Sequence, residues 1–187
     1  MKKIKMIVLI LLFISVLYSH PHIWIEYTIE PVFSDKGLEG LQLEWIFDDM
    51  FSWQIITDYT QNQDFNISED ENKTIKKEAF DYLKESGYFT NFYVNGNRKE
   101  IRNVTNFHAK GKDELLLYNF FIPWKIEAKK EMTTLKISFF DETIFCDIAP
   151  KENGMLIKAN KNISIQYSML DQITYQLNFI KLNNEIK

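Results

Sequence analysis

The chain has 187 residues, of which 45% are hydrophobic and 26% charged, and its formal net charge is −4. That balance fits one domain with a substantial core and excludes the strongly basic face that nucleic acid or anionic lipid would require. The single cysteine, Cys146, excludes an intrachain disulfide, so stability must come from packing.

Residues 1–19 read as a signal peptide. Lys2, Lys3 and Lys5 make a basic start, and Met6 to Leu17 is apolar apart from Ser15. This run is shorter than the roughly 20 apolar residues of a membrane-spanning helix. Ser19 is a small residue at a cleavage position, so the mature periplasmic domain is expected to be residues 20–187, with no membrane insertion after cleavage. Retention of the segment as an anchor is the alternative. Loss of three lysines leaves the domain more acidic than the whole chain.

The next residues alternate with period two. Ile23, Ile25, Tyr27 and Ile29 interleave with Trp24, Glu26, Thr28 and Glu30, which predicts a half-buried strand up to Phe33. After the turn Ser34-Asp35-Lys36-Gly37, the residues Leu41, Leu43, Trp45 and Phe47 mark a second strand, antiparallel to the first. From Asp49 to about Tyr59 the spacing becomes helical, with Asp48 or Asp49 as N-cap. A polar loop follows to Glu71. Ile75, Ala79 and Leu83 then make the stripe of a second helix over about Asn72 to Ser86, stopped by Gly87.

Strands return after Gly87. Tyr88–Val94 leads into the hairpin signal Asn95-Gly96. Further strands are predicted at Lys99–Phe107, Leu115–Ile122 (after a Lys110-Gly111-Lys112 turn), Leu135–Phe140, Ile144–Ile148, Met155–Ala159, Ile163–Tyr167 and Thr174–Phe179. The expected fold is α+β and mainly β: one antiparallel β-sandwich-like domain with an inserted two-helix segment over about 49–86.

The residues best suited to chemistry are His20 and His22. At i and i+2 of an extended chain, both imidazoles project to one side and can reach one metal ion. Cleavage before His20 adds an α-amine, while Pro21 has no amide proton and so excludes chelation through that backbone nitrogen. The bland alternative is a solvated terminus. His108 is the third histidine, as readily a surface residue as a ligand. Asp48, Asp49, Asp141 and Asp147 are carboxylates that could complete a site, or else a helix cap and turn residues. Cys146 reads as buried packing. Asp64 to Glu71 has the Asp-x-Asn start of a calcium loop but lacks its length and its glycine, so calcium binding is not expected. No nucleophile elbow, phosphate-binding glycine loop or His-Glu-x-x-His pair is present, so the chain is not expected to be an enzyme.

The order of these features resembles the periplasmic proteins of domain-of-unknown-function family 1007. The resemblance rests on His20-Pro21-His22 after the leader, Trp45-x-Phe47-Asp48-x-Met50-Phe51-Ser52, Lys77-Glu78-Ala79-Phe80-Asp81-x-Leu83-Lys84, Gly87-Tyr88-Phe89-Thr90, and Asp141 and Asp147 in place of a Tyr-Asp-Pro-like segment. Two departures stand out: the calcium-like loop is shortened, and Glu142 replaces the proline. The resemblance implies an accessory component of a transition-metal transport system, paired with a polytopic membrane permease. On that basis the expected cargo is a divalent ion, zinc first, with nickel, cobalt or copper as alternatives. The expected ligands are His20 and His22 with help from His108, Asp48 or Asp141. The alternative is a β-sandwich module that docks on the permease without holding metal.

Overall fold

The computed structural model describes residues 23–182, so the leader and His20-Pro21-His22 lie outside the described residues. Strand β1 (Ile23–Ser34) turns through Asp35 and Lys36 into β2 (Gly37–Phe47), in antiparallel register from Ile25 opposite Phe47 to Ser34 opposite Gly37. Helix α1 (Asp49–Tyr59) follows, then α2 (Glu69–Ile75). Helix α2 widens into a π-turn over Lys76–Phe80 and tightens into 3₁₀ turns at Asp81–Lys84 and Gly87–Phe89. The remaining strands are β3 (Thr90–Val94), β4 (Asn97–Lys99), β5 (Thr105–Lys112), β6 (Leu115–Glu127), β7 (Thr133–Phe139), β8 (Cys146–Met155), β9 (Ile163–Met169) and β10 (Thr174–Lys181).

These strands form two five-stranded sheets, ordered β5-β6-β2-β1-β8 and β4-β3-β7-β10-β9. The fold is the mainly β sandwich with an inserted helical segment that the periodicity predicts. One pairing is not antiparallel: β8 runs parallel to β1, with Ile23 opposite Cys146 and Trp24 opposite Asp147. Parallel pairing needs a long crossover, and the whole second sheet apart from β9 and β10 intervenes between these two strands.

Alternation decides which faces meet. Ile23, Ile25, Tyr27 and Ile29 of β1 are buried, as are Leu41, Leu43, Trp45 and Phe47 of β2. Tyr27 meets Phe139 of the facing sheet with ring centroids 4.4 Å apart, and Phe33 meets Phe179 at 5.1 Å. Burial of each such ring is worth roughly 1.5–3 kcal/mol, which is how a domain without disulfides holds together. The helical segment fills part of the same core. Phe80 is fully buried against Phe107 (4.3 Å), Phe120 (5.1 Å) and Trp45 (6.2 Å).

The chain enters β3 through three consecutive left-handed residues, Gly87, Tyr88 and Phe89, at φ of 61°, 53° and 54°. Glycine adopts this region freely, whereas each of the two aromatics carries a cost of about 1–2 kcal/mol. The compensation is visible in the core, where Tyr88 stacks on Phe80 and Phe89 stacks on Trp45.

Several boundaries differ from the periodic reading. Lys110-Gly111-Lys112 belongs to β5, and the turn is Asp113-Glu114, both residues at positive φ. Gly111 is required for space, because a Cβ there would lie 2.3 Å from Cβ of Phe65. The expected strand at Lys99–Phe107 is instead the end of β4, a connection between sheets, and the start of β5. The strand expected at Ile144–Ile148 is found as β8, which starts at Cys146 and runs on to Met155 with a register shift against β1 between Tyr27 and Ile29, whereas 156–159 of the strand expected at Met155–Ala159 is not strand.

Candidate functional site

The first described residues of β1, which His22 directly precedes in the chain, are held from two sides. Asp48 follows β2 and caps α1: its Oδ1 accepts the Phe51 amide at 2.8 Å, and its Oδ2 accepts the Trp24 amide at 2.7 Å. The backbone adds a reciprocal bond, the Asp48 amide donating to the Trp24 carbonyl at 3.0 Å. One carboxylate therefore satisfies an orphan helix N–H and a strand-end N–H together. On the other side lies β8. Its alternation pairs the outward Trp24 with the outward, exposed Asp147, while Ile25 and Ile148 both point into the core.

Just before β8, Asp141 organises a tight loop. It is only 8% exposed, and its carboxylate takes four hydrogen bonds: Oδ1 from the Thr143 amide (2.9 Å) and hydroxyl (2.7 Å), Oδ2 from the amides of Phe145 (3.1 Å) and Cys146 (3.0 Å). Burial works to raise its pKa, but the hydrogen bonds to the anion prevail and hold the carboxyl below the usual carboxylate range. The Cys146 thiol responds oppositely. Burial, reinforced by the negative charge of Asp141 beside it, pushes its pKa up to about 12.

Asp48, Asp141, Cys146 and Asp147 thus gather at the end of the sheet where β1 begins. Their readiness to hold a cation differs. Asp48 and Asp141 already spend both oxygens on the fold. Asp147 is exposed, and its side chain makes no ion pair or hydrogen bond with the described residues. Asp49 is exposed as well, its Oδ1 accepting the neighbouring Met50 amide at 2.9 Å. Among the described residues, no group of three or more His, Cys, Asp or Glu side chains could hold a metal ion.

His108 lies elsewhere. It sits on β5, in a row running through Asn119 and Glu44 to Thr28, so β6 and β2 separate it from β1. Three strand spacings amount to about 14 Å. Its Nδ1 pairs with Nδ2 of the buried Asn72 at 2.7 Å, while Oδ1 of Asn72 accepts the Ala109 amide at 3.1 Å. Asn72 thereby ties α2 to β5, the outermost strand of its sheet. Ser52, in the Phe-Ser stretch of the α1 motif, is likewise structural: its buried Oγ accepts the Leu116 amide at 2.9 Å and reaches the Phe47 carbonyl at 3.4 Å.

In the calcium-like loop, Glu71 closes a capping box. Its Oε2 accepts the Ser68 amide at 2.8 Å and its Oε1 the Gln61 amide at 2.7 Å. The carboxylate that a calcium loop would use as a bidentate ligand is therefore engaged in starting α2.

Trp24 and Ile144 stand out only in the structure. Trp24 is 60% exposed beside Asp147, and Ile144 is 70% exposed at a φ of 60°, a conformation that β-branched residues strongly disfavour. A large aromatic on the outward face of the first strand was a visible signal; the left-handed isoleucine had none.

The sequence has relatives. A family model described as "Protein of unknown function (DUF1007)" matches residues 5–169. An uncharacterized 15.5 kDa protein in the trpE 3' region of Spirochaeta aurantia is 29% identical over 102 residues, covering 54% of this chain and 71% of that protein. No solved structure matches.

Proposed function

We propose a role for this chain, which belongs to the DUF1007 family: a periplasmic accessory protein of a transition-metal transport system, which holds a divalent ion at its mature N-terminus and passes it to or from a membrane permease. The observation that carries this reading is the pairing of Trp24 with Asp147. It sets an exposed carboxylate, with no ion pair or side-chain hydrogen bond among the described residues, beside the residues into which His20-Pro21-His22 leads.

Two peptide links separate His22 from Trp24, a Cα span of at most about 7 Å. His22 stands one residue before β1 and two before Trp24, whose outward side Asp147 shares. The α-amine of a mature His20, the two imidazoles and the Asp147 carboxylate would make a four-donor set of the kind zinc accepts in tetrahedral geometry. Nickel, cobalt and copper favour the same imidazole donors. Asp147 replaces Asp48 and Asp141 as the favoured carboxylate, because using either of those would break helix-capping or loop-organising bonds. His108 has no part in this set. Binding and release would follow proton competition, since amine and imidazole must be deprotonated to bind, so falling pH favours release.

The test is native mass spectrometry and calorimetry on residues 20–187 with an authentic His20 terminus, titrated with zinc, nickel, cobalt and copper. One ion per chain, lost in His20→Ala/His22→Ala and weakened roughly 10–100-fold in Asp147→Asn, is the expected result. Absence of stoichiometric binding, or binding undiminished by the double substitution, would remove the metal-holding role. The second reading, a module that docks on the permease without holding metal, is favoured by the exposed apolar side chains around Trp24.

A further inference from the structure

A sheet edge is a row of unpaired backbone N–H and C=O groups, which proteins usually guard with charge, proline, brevity or a bulge. Three of the four outermost strands here are guarded. β4 is three residues long and includes Arg98 and Lys99, β5 carries Lys110, Lys112 and a register shift, and β8 carries Pro150, Lys151 and Glu152. β9 is not guarded. Its sequence, Ile163-Ser164-Ile165-Gln166-Tyr167-Ser168-Met169, has no charge, proline or glycine, and it pairs with β10 along its whole length without a shift.

The pairing with β10 fixes which backbone groups face outward. The Leu170 amide donates to the Thr174 carbonyl, and the Leu182 amide to the Asn162 carbonyl, both at 2.8 Å. In an antiparallel ladder, residues that bond one neighbour alternate with residues that face the other side. The even-numbered residues of β9 therefore bond β10, while Ile163, Ile165, Tyr167 and Met169 turn their N–H and C=O groups away from it. Their side chains lie on the face that Tyr175, Leu177 and Phe179 direct into the core, yet Tyr167 and Met169 are 52% and 46% exposed. Among the described residues, no strand pairs with the outer edge of β9.

The pattern of apolar and polar residues in β9 is the same in both directions about Gln166. A second copy laid antiparallel on this edge, with Gln166 opposite Gln166, sets Ile165 against Tyr167 and Ile163 against Met169 on the core side. On the other side Ser164 meets Ser168. All the outward-facing residues then fall in four pairs that each exchange two backbone bonds, and a slip of two residues either way leaves only three such pairs. Just beyond the strand, the same register brings Lys161 of one copy opposite Asp171 of the other, at both ends. We propose that β9 is the interface of a homodimer, in which two copies join edge to edge through this register into one continuous sheet. Such an interface is isologous, the form that closes on itself at two copies. The proposal goes beyond metal handling and does not rest on it, because β9 belongs to the sheet that does not contain β1.

The test is sedimentation equilibrium of residues 20–187 over about 5 to 500 µM, in EDTA so that no metal bridges the copies. The expected result is a reversible monomer–dimer equilibrium. Gln166 is exposed, and Gln166→Lys and Gln166→Glu each set like charges face to face across the two-fold axis. Each should weaken the dimer by roughly tenfold or more. An equimolar mixture of the two should restore association to within about threefold of wild type, which also shows that both variants fold. Hydrogen exchange should slow most with rising concentration at the outward amides of Ile163, Ile165, Tyr167 and Met169. A chain that stays monomeric at the highest concentration, a dimer that both substitutions leave intact, or a mixture that associates no better than either variant alone would each overturn the proposal. A zinc titration of Gln166→Lys, expected to match wild type, separates loss of the dimer from loss of metal binding.

Discussion

Asp48 and Trp24 are joined by two hydrogen bonds, the Trp24 amide donating to the Asp48 carboxylate and the Asp48 amide donating to the Trp24 carbonyl. The first strand is therefore anchored at its origin by the residue that also starts α1. This single link couples the start of the sheet to the helix, two residues after His22 in the sequence. Both oxygens of Asp48 are thereby occupied by backbone amides.

Replacing Asp48 with alanine should accordingly cost stability. Loss of a helix cap is worth about 1 kcal/mol, and loss of a charge-assisted bond to the Trp24 amide adds a similar amount, so urea unfolding should show about 2 kcal/mol of destabilisation. Asp48→Asn keeps an oxygen for the cap and should lose about half as much. Zinc stoichiometry should survive the asparagine substitution; its abolition would make Asp48 a ligand.

Asp141 should contribute to the acid limb of the stability curve. Its folded pKa lies below the ordinary carboxylate value, so its stabilisation is complete above the unfolded pKa of about 3.9 and disappears as pH falls through the folded value. Asp141→Asn should be less stable at neutral pH and show a shallower decline on acidification through that window. Parallel pH–stability profiles for the two proteins would show that Asp141 carries no linkage.

The thiol of Cys146 should be inert. With a pKa near 12, its thiolate population at pH 8 is on the order of 10³-fold lower than that of a free cysteine at about 8.5. Alkylation by iodoacetamide, followed by mass spectrometry, should be slower by at least two orders of magnitude than that of glutathione. Asp141→Asn should speed the reaction, because a neighbouring negative charge is removed. A wild-type rate close to that of glutathione would show that burial does not protect the sulfur.

Ser52→Ala should leave the buried Leu116 amide without its acceptor, at a cost of roughly 1–3 kcal/mol. Asn72→Ala should be similarly harmful by releasing Ala109, whereas His108→Ala should cost less because the ring is exposed. Thermal unfolding of the three variants should rank them in that way, and none should alter zinc stoichiometry.

The amino-acid sequence by itself determined the elements whose cause is local. The alternation of β1 and β2, the Asn95-Gly96 hairpin, the Asp48 cap and the stripe Ile75–Ala79–Leu83 are all visible because backbone period and turn chemistry act over a few residues. Tertiary structure alone decided that β8 returns parallel to β1, since pairing between residues more than a hundred positions apart leaves no mark in periodicity. It also set the candidate residues apart. The sequence favoured His108, Asp48 and Asp141 over Asp49 and Asp147, but type and spacing say nothing about how many hydrogen bonds a carboxylate already accepts. Only packing showed Asp48 and Asp141 hydrogen-bonded within the fold, His108 on a distant strand and paired with Asn72, and Asp147 exposed beside Trp24 with no ion pair among the described residues.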